Sequence, residues 1–411
     1  MGVLIEAFRT GTWVTRERMR LVGLAVLFAS LAGFVYIVAT SDGLNDSFGR
    51  PLGTDFSNVY AAGTYVLDGH AEAPFDPARQ FAREQEIFGF NTQFYGWHYP
   101  PFFLFVAALL ALMPYAVALA VWQSVTFALY LLSIRSILCM PSSPAGLRDE
   151  KIWLLLAGAF PAVFVNLGHG HNGFLTAALI GLALVMLGER PILAGILFGL
   201  LAYKPQFGLM IPLVLIASGR WRAFFAASAT VIVLAALTTL VFGPQIWTAF
   251  LDSMHFTRTI VLEAGETGWH KIQSVFSWVR MWGGPVPLAY AVQGIVTIAA
   301  AVALIWLWRG PVAFALKASA LAVAAILATP YSLDYDMMVL APAIAFLAAD
   351  GLTRGFSDYE KSALAALWLV PLVARSIAAH VYVPLGVIAM LAVFVLVILR
   401  AWNDSKIKPA A

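Results

Sequence analysis

Between Leu21 and Trp402 the chain returns repeatedly to apolar runs that carry few ionised side chains. A helix needs ~20 such residues, each rising roughly 1.5 Å, to cross the hydrocarbon of a bilayer. Nothing else in the sequence restricts the fold as much. In lipid every backbone polar group must be satisfied internally, which leaves helices or a closed barrel. The strict alternation of a transmembrane barrel is missing. Composition agrees, since 61% of residues are hydrophobic and 11% charged, against roughly 25% charged in a soluble domain. The sequence predicts an all-α polytopic membrane protein, one integral membrane domain over residues 1–411 with membrane lipids as its surroundings. The single cysteine, Cys139, excludes an internal disulfide and offers no metal-ligand set. No basic stripe interleaved with aromatics marks a nucleic-acid partner.

Loop charge sets the expected orientation. Arg9, Arg16, Arg18, Arg20, Arg148, Lys151, Arg190, Arg220, Arg222, Arg309, Lys317, Arg354, Lys361, Lys406 and Lys408 fall in basic segments read as cytoplasmic. Segment 41–99 instead holds eight acids against Arg50, Arg79 and Arg83, and is assigned to the outside. With the first run, 21–40, read as a retained anchor, further spans are expected near 115–138, 151–167, 173–188, 191–203, 205–218, 223–243, 285–308, 313–328, 337–349, 362–379 and 383–402. That is about twelve transmembrane helices, both termini cytoplasmic, in an inner (cytoplasmic) membrane. Residues 101–113, ended by Met113-Pro114, are short for a span and are expected to lie in the outer interface. Segments 41–99 and 244–284 are too long for connectors, and long ordered loops are usually functional. Within the first, Asn58–Leu67 and Pro77–Phe88 are expected to form interfacial helices.

The candidate chemistry gathers on the side assigned as outer. Asp55, in Gly53-Thr54-Asp55-Phe56-Ser57, follows the first span and reads either as a helix cap or as a catalytic carboxylate. His98 and Tyr99 stand where Trp97-His98-Tyr99-Pro100-Pro101 re-enters the bundle, with prolines fixing the helix start. The glycine-rich turn 166–173 offers His171 and Asn172 for hydroxyl recognition. Lys204, followed by Pro205 and Gln206, interrupts an apolar stretch, and an ionisable residue there is by default a functional candidate. Arg258, His270 and Lys271 belong to the second long loop, and Asp334 and Asp336 to the turn 329–336.

In order and spacing these elements resemble glycosyltransferase family 87, membrane enzymes of the GT-C fold that use polyprenol-phosphate-mannose. The resemblance runs through the aspartate after the first span, Tyr99-Pro100-Pro101, Gly170-His171-Asn172, Lys204-Pro205-Gln206 and Pro330-x-Ser332-x-Asp334. It implies a GT-C-like bundle and an inverting transfer of a hexose, mannose by analogy, from a polyprenyl phosphate to a lipid or glycan acceptor outside the membrane. It also implies Asp55 as general base; Asp68 and Asp334 are the other carboxylates open to that role. Lys204, with Lys271, His270 or Arg258, would meet the leaving phosphate, and no cofactor or obligatory metal is expected. The chain departs from the family at Asp336, where relatives often carry histidine. A lipid-linked glycan flippase or other transporter, and a membrane glycan polymerase, are the alternatives. Transporters tend to show internal repeats and midplane binding residues, which this sequence lacks.

Overall fold

A computed structural model describes residues 2–144, 146–147 and 150–407; Arg148 and Lys408, assigned above to the cytoplasmic side, lie outside them. Among the described residues the chain is helical throughout, with only isolated bridges in place of strands. Seven helices are long and apolar enough to cross a membrane: Arg16–Ala39, Tyr115–Leu138, Trp221–Phe242, Val286–Arg309, Asp334–Arg354, Glu360–Val381 and Leu385–Lys406. Lys151–Gly158 and Pro161–His169 form an eighth if counted as one span bent by 46°. The bend falls where Pro161 withholds an N–H and opens a new helix.

Helices stand at every position where a span was expected, but not all have the length to cross. Gly173–Met186, Pro191–Tyr203, Pro205–Ala217 and Phe314–Leu327 are apolar helices of fewer than 18 residues. Fourteen residues rise ~21 Å, short of the ~30 Å hydrocarbon core. Length therefore supports seven or eight crossings, where about twelve were expected. The break at Lys204 is real: it separates two short 3-10 turns, Leu201–Tyr203 and Pro205–Gly208, because Pro205 disfavours helical backbone at the residue before it.

The two long segments meet at one end of the bundle. Thr54–Leu67 and Pro77–Phe88 are helices, the first starting a turn earlier than the sequence suggested. Phe75 packs on Phe250 and Phe94 on Phe256, while His98 Nδ1 lies 2.8 Å from Thr257 Oγ1. Gln273 N–H donates to the carbonyl of Ser332 at 2.6 Å, tying the second segment to the 329–336 turn. Among the described residues, three basic residues assigned to the cytoplasm make ion pairs, all with acids outside these two segments. Arg9 pairs with Asp358, Arg16 with Glu150, and Arg354 with Asp350 and Asp404.

Glycine permits the contact that seats the Thr54–Leu67 helix. A Cβ on Gly63 would lie 2.1 Å from the carbonyl oxygen of Ala107 in the Leu104–Ala111 helix. Gly63→Ala is expected to lower the apparent unfolding midpoint in detergent, at a cost of about 1–3 kcal/mol. Gly33→Ala, with open space around its Cβ, is the control and should leave the midpoint unchanged or raise it slightly.

Glu84 holds the second surface helix. It is fully buried, accepts from Gln80 Nε2 at 3.1 Å and from Tyr95 N–H at 2.9 Å, and burial pushes its carboxyl up to about 8. A carboxyl raised on folding binds its proton more tightly in the native state, so stability is highest at low pH and falls as pH rises. Between pH 4.5 and about 8 the wild type should lose stability, and Glu84→Gln should flatten that slope in denaturation scans at several pH values.

Candidate active site

Asp55 lies in the first turn of Thr54–Leu67. The helix is capped by Gly53 with φ +68°, so Asp55 is not the cap that its sequence position allowed. Gly53 and Gly170 are pressed together: a Cβ on Gly170, itself at φ +61°, would sit 3.1 Å from Gly53 Cα and 2.6 Å from Phe56 Cβ. Two left-handed glycines thus bring the acidic turn onto the histidine turn. Thr54 Oγ1 is 2.8 Å from His169 Nδ1, and an Asp55 carboxylate oxygen is 3.8 Å from the same nitrogen.

The Asp55 side chain is 20% exposed, and among the described residues its oxygens have no hydrogen-bond partner. Burial raises its carboxyl above the ordinary carboxylate value; His169, Lys271 and Lys204 oppose that shift, and Asp334 adds to it. Desolvation and nearby positive groups thus act on this carboxylate in opposite directions, with a net increase in its proton affinity.

Beneath Asp55 is a packed polar floor. His171 stacks on Tyr335 with ring centroids 3.5 Å apart, and its Nε2 meets Tyr99 Oη at 3.0 Å. Asn172 Nδ2 donates to the same Tyr99 oxygen at 3.0 Å. Lys204 is buried and its ammonium lies 2.5 Å from Asp336, whose other oxygen accepts the Leu333 N–H at 2.9 Å. Lys204 also sits over the rings of Phe207 and Tyr335. The two acids of the Asp-x-Asp pair therefore face different cations, because Asp334 is 3.3 Å from Arg375. Among the described residues no group of three or more His, Cys, Asp or Glu side chains is arranged to hold a metal.

Lys271 and His270 form a short 3-10 turn with Trp269, joined to the Pro330 turn through the Ile272–Leu333 bridge. Among the described residues neither side chain has an ion-pair or hydrogen-bond partner. Burial, then the neighbouring Arg375 charge, lowers the proton affinity of both, and Asp334 and Asp55 pull Lys271 back. Lys271 is thus a cation in the field of the Asp55 group with no counter-ion of its own.

Not every sequence candidate joins this cluster. His98 lies at the seam of the two long segments, in a crevice with Phe75, Phe94 and Phe256, and burial lowers it to about 4. Gln206 is half-buried on the turn after Lys204. Arg258 is 65% exposed and pairs with Glu263 at 3.2 Å. Asp68, an alternative base, is 51% exposed and paired with Arg83 at 2.8 Å. Four members escaped the sequence reading: Thr54, His169, Tyr335 and Arg375. Arg375 had a visible signal, a charge within the expected span 362–379. His169 stood in the quoted turn but was passed over for its neighbours.

The fold and this site define a helical membrane protein with an isolated carboxylate and an unpaired cation at the foot of two large loops. Residues 97–330 match the family model of glycosyltransferase family 87. The match covers over half of the chain, so the chain belongs to that family and is a membrane glycosyltransferase. It includes His98, Tyr99, the 170–172 turn, Lys204 and Lys271, and leaves Asp55, Asp334, Asp336 and Arg375 outside. No curated protein and no solved structure matches the chain.

The buried pair gives a prediction. Lys204→Met should strand the Asp336 charge and cost about 3–5 kcal/mol, whereas Lys204→Met combined with Asp336→Leu should recover most of that loss. Apparent unfolding midpoints of the purified proteins in detergent check it; equal losses in single and double variants would refute the pairing.

Proposed function

We propose that this family 87 enzyme transfers a hexose, mannose in the first instance, from a polyprenyl phosphate to a hydroxyl of a lipid or glycan acceptor. The observation that carries the reading is the sorting of the three candidate bases. Asp68 is paired on the surface and Asp334 is held by Arg375, while Asp55 alone keeps an unbonded carboxylate in an enclosed, partly exposed site. A general base must reach the attacking hydroxyl with a free oxygen and a matched proton affinity.

In the proposed step Asp55 takes the proton of the acceptor hydroxyl. That oxygen attacks the anomeric carbon from the face opposite the phosphate, and the bond from carbon to phosphate oxygen breaks with inversion. The electron pair leaves on the polyprenyl phosphate, whose new charge is met by Lys271 with His270 beside it. Lys204, whose charge is already balanced by Asp336, supports the floor of the site. A phosphomonoester leaving group carries less charge than a nucleoside diphosphate, and Lys271 meets that charge without a divalent ion. The end bearing the two long segments faces outside a cytoplasmic membrane, a reading supported by the basic residues Arg9, Arg16 and Arg354 that pair away from the site.

Purified enzyme in liposomes, given labelled polyprenyl-phosphate-mannose and a crude lipid and glycan acceptor fraction, tests the reading. Wild type should transfer label in the presence of chelator. Asp55→Asn should lose roughly 10²–10⁴-fold in rate while staying folded, and Lys271→Met should lose less than Asp55→Asn. Transfer undiminished in Asp55→Asn would remove the base; no transfer from any polyprenyl-phosphate sugar would remove the donor class.

A further inference from the structure

His169 stands between two groups of opposite character. Its Nδ1 faces Thr54 Oγ1 at 2.8 Å and Asp55 at 3.8 Å, and its Nε2 faces an Arg375 guanidinium nitrogen at 3.5 Å. A guanidinium is always a donor and always positive, so a proton on Nε2 would point at a cation. The neutral ring therefore places its proton on Nδ1, where a hydroxyl and a carboxylate can receive it. We infer that His169 is a positioning residue for Asp55, with Arg375 fixing its tautomer so that the Nδ1–H faces the catalytic carboxylate. This rests on the proposed role of Asp55 as base.

The other groups around the pair do not replace this donor. Asp55 is influenced at longer range by Asp334, Lys271 and Lys204, and it in turn disfavours ionisation of Glu84. Tyr95, Tyr99 and Tyr331 also sense Asp55, and burial raises all three, so they stay neutral through the working range. His169 itself faces Arg375 and the edge of Tyr335, and it interacts electrostatically with His171. Among the described residues, His169 Nδ1, which also faces Thr54 Oγ1, is the one Lys, Arg or His nitrogen within 4 Å of an Asp55 oxygen.

The sign of the effect follows. A donor facing the carboxylate stabilises its ionised form, and its loss raises the pH at which the base becomes competent. Asparagine can place an amide N–H near the position of Nδ1, whereas glutamine reaches toward that of Nε2 and would set a donor against Arg375. In kcat/KM against pH for the full chain in liposomes, His169→Gln should move the acid limb up by about one pH unit, about tenfold in rate below the limb. His169→Asn should keep the limb within a few tenths of wild type. Equal limbs in the two variants, or a uniform loss without movement, would overturn the inference. If Asp55→Asn is fully active the base reading fails; if it is inactive while the His169→Gln limb stays put, only the role of His169 fails. Solid-state nitrogen-15 spectra of histidine-labelled protein, assigned by difference with His169→Asn, give a readout independent of turnover. Wild type should show His169 protonated at Nδ1, with that preference lost in Arg375→Met; a ring protonated at Nε2 in wild type would also overturn it.

Discussion

The ion pair between Lys204 and Asp336 is the constraint around which the site is arranged. Both charges are buried, and in such surroundings each is tolerable only because the other is there. The pair joins the break after Pro191–Tyr203 to the turn that starts the Asp334–Arg354 helix, two elements more than a hundred residues apart. Pro205 makes the break, the break frees Lys204 from regular helix, and the ammonium then draws the Asp336 turn over it. Tyr335, between the two acids, is held so that His171 stacks on its ring. Packing and electrostatics thus fix the same few atoms.

This arrangement sorts residues that look equivalent in the sequence. Asp334 and Asp336 are two positions apart, yet one belongs to Arg375 and the other to Lys204. A divergent pair with separate cations is a structural fastening rather than a ligand pincer. Opposite a buried lysine, a carboxylate at position 336 balances the charge directly. The consequence reaches Lys271, which keeps its charge available because Asp334 and Asp336 are paired with other cations.

Much of this was legible from residue order alone. Apolar runs located the helices, since lipid allows little else, and Pro77–Phe88 was placed to the residue by its proline start and amphipathic face. The clustering of Asp55, the 166–173 turn, Lys204 and the Asp334 turn at one end followed from spans and loop charge. What escaped was pairing. No periodicity tells that Lys204 will meet Asp336, or that Arg258 will turn away to Glu263. Short helices were the other gap: an apolar run of fourteen residues reads like a truncated span, yet its helix is too short to cross the hydrocarbon unaided. His169 shows a third limit, because three histidine and asparagine candidates within four positions differ only in where the turn points each one.

The glycines of that turn connect the fold to the chemistry. Gly53 and Gly170 touch at a distance that no larger residue allows, and the contact brings His169 within 3.8 Å of Asp55. Enclosure by the long segments raises the proton affinity of the carboxylate, which suits a base that must take a proton from a weakly acidic hydroxyl. The imidazole N–H and the lysine charges pull the other way, so competence depends on holding desolvation and positive potential in balance. A solvated aspartate would be a weaker base, and Asp334 already has an oxygen engaged by Arg375. Asp55 is set between those limits by backbone contact rather than by a direct ion pair, which leaves its oxygens free for a substrate.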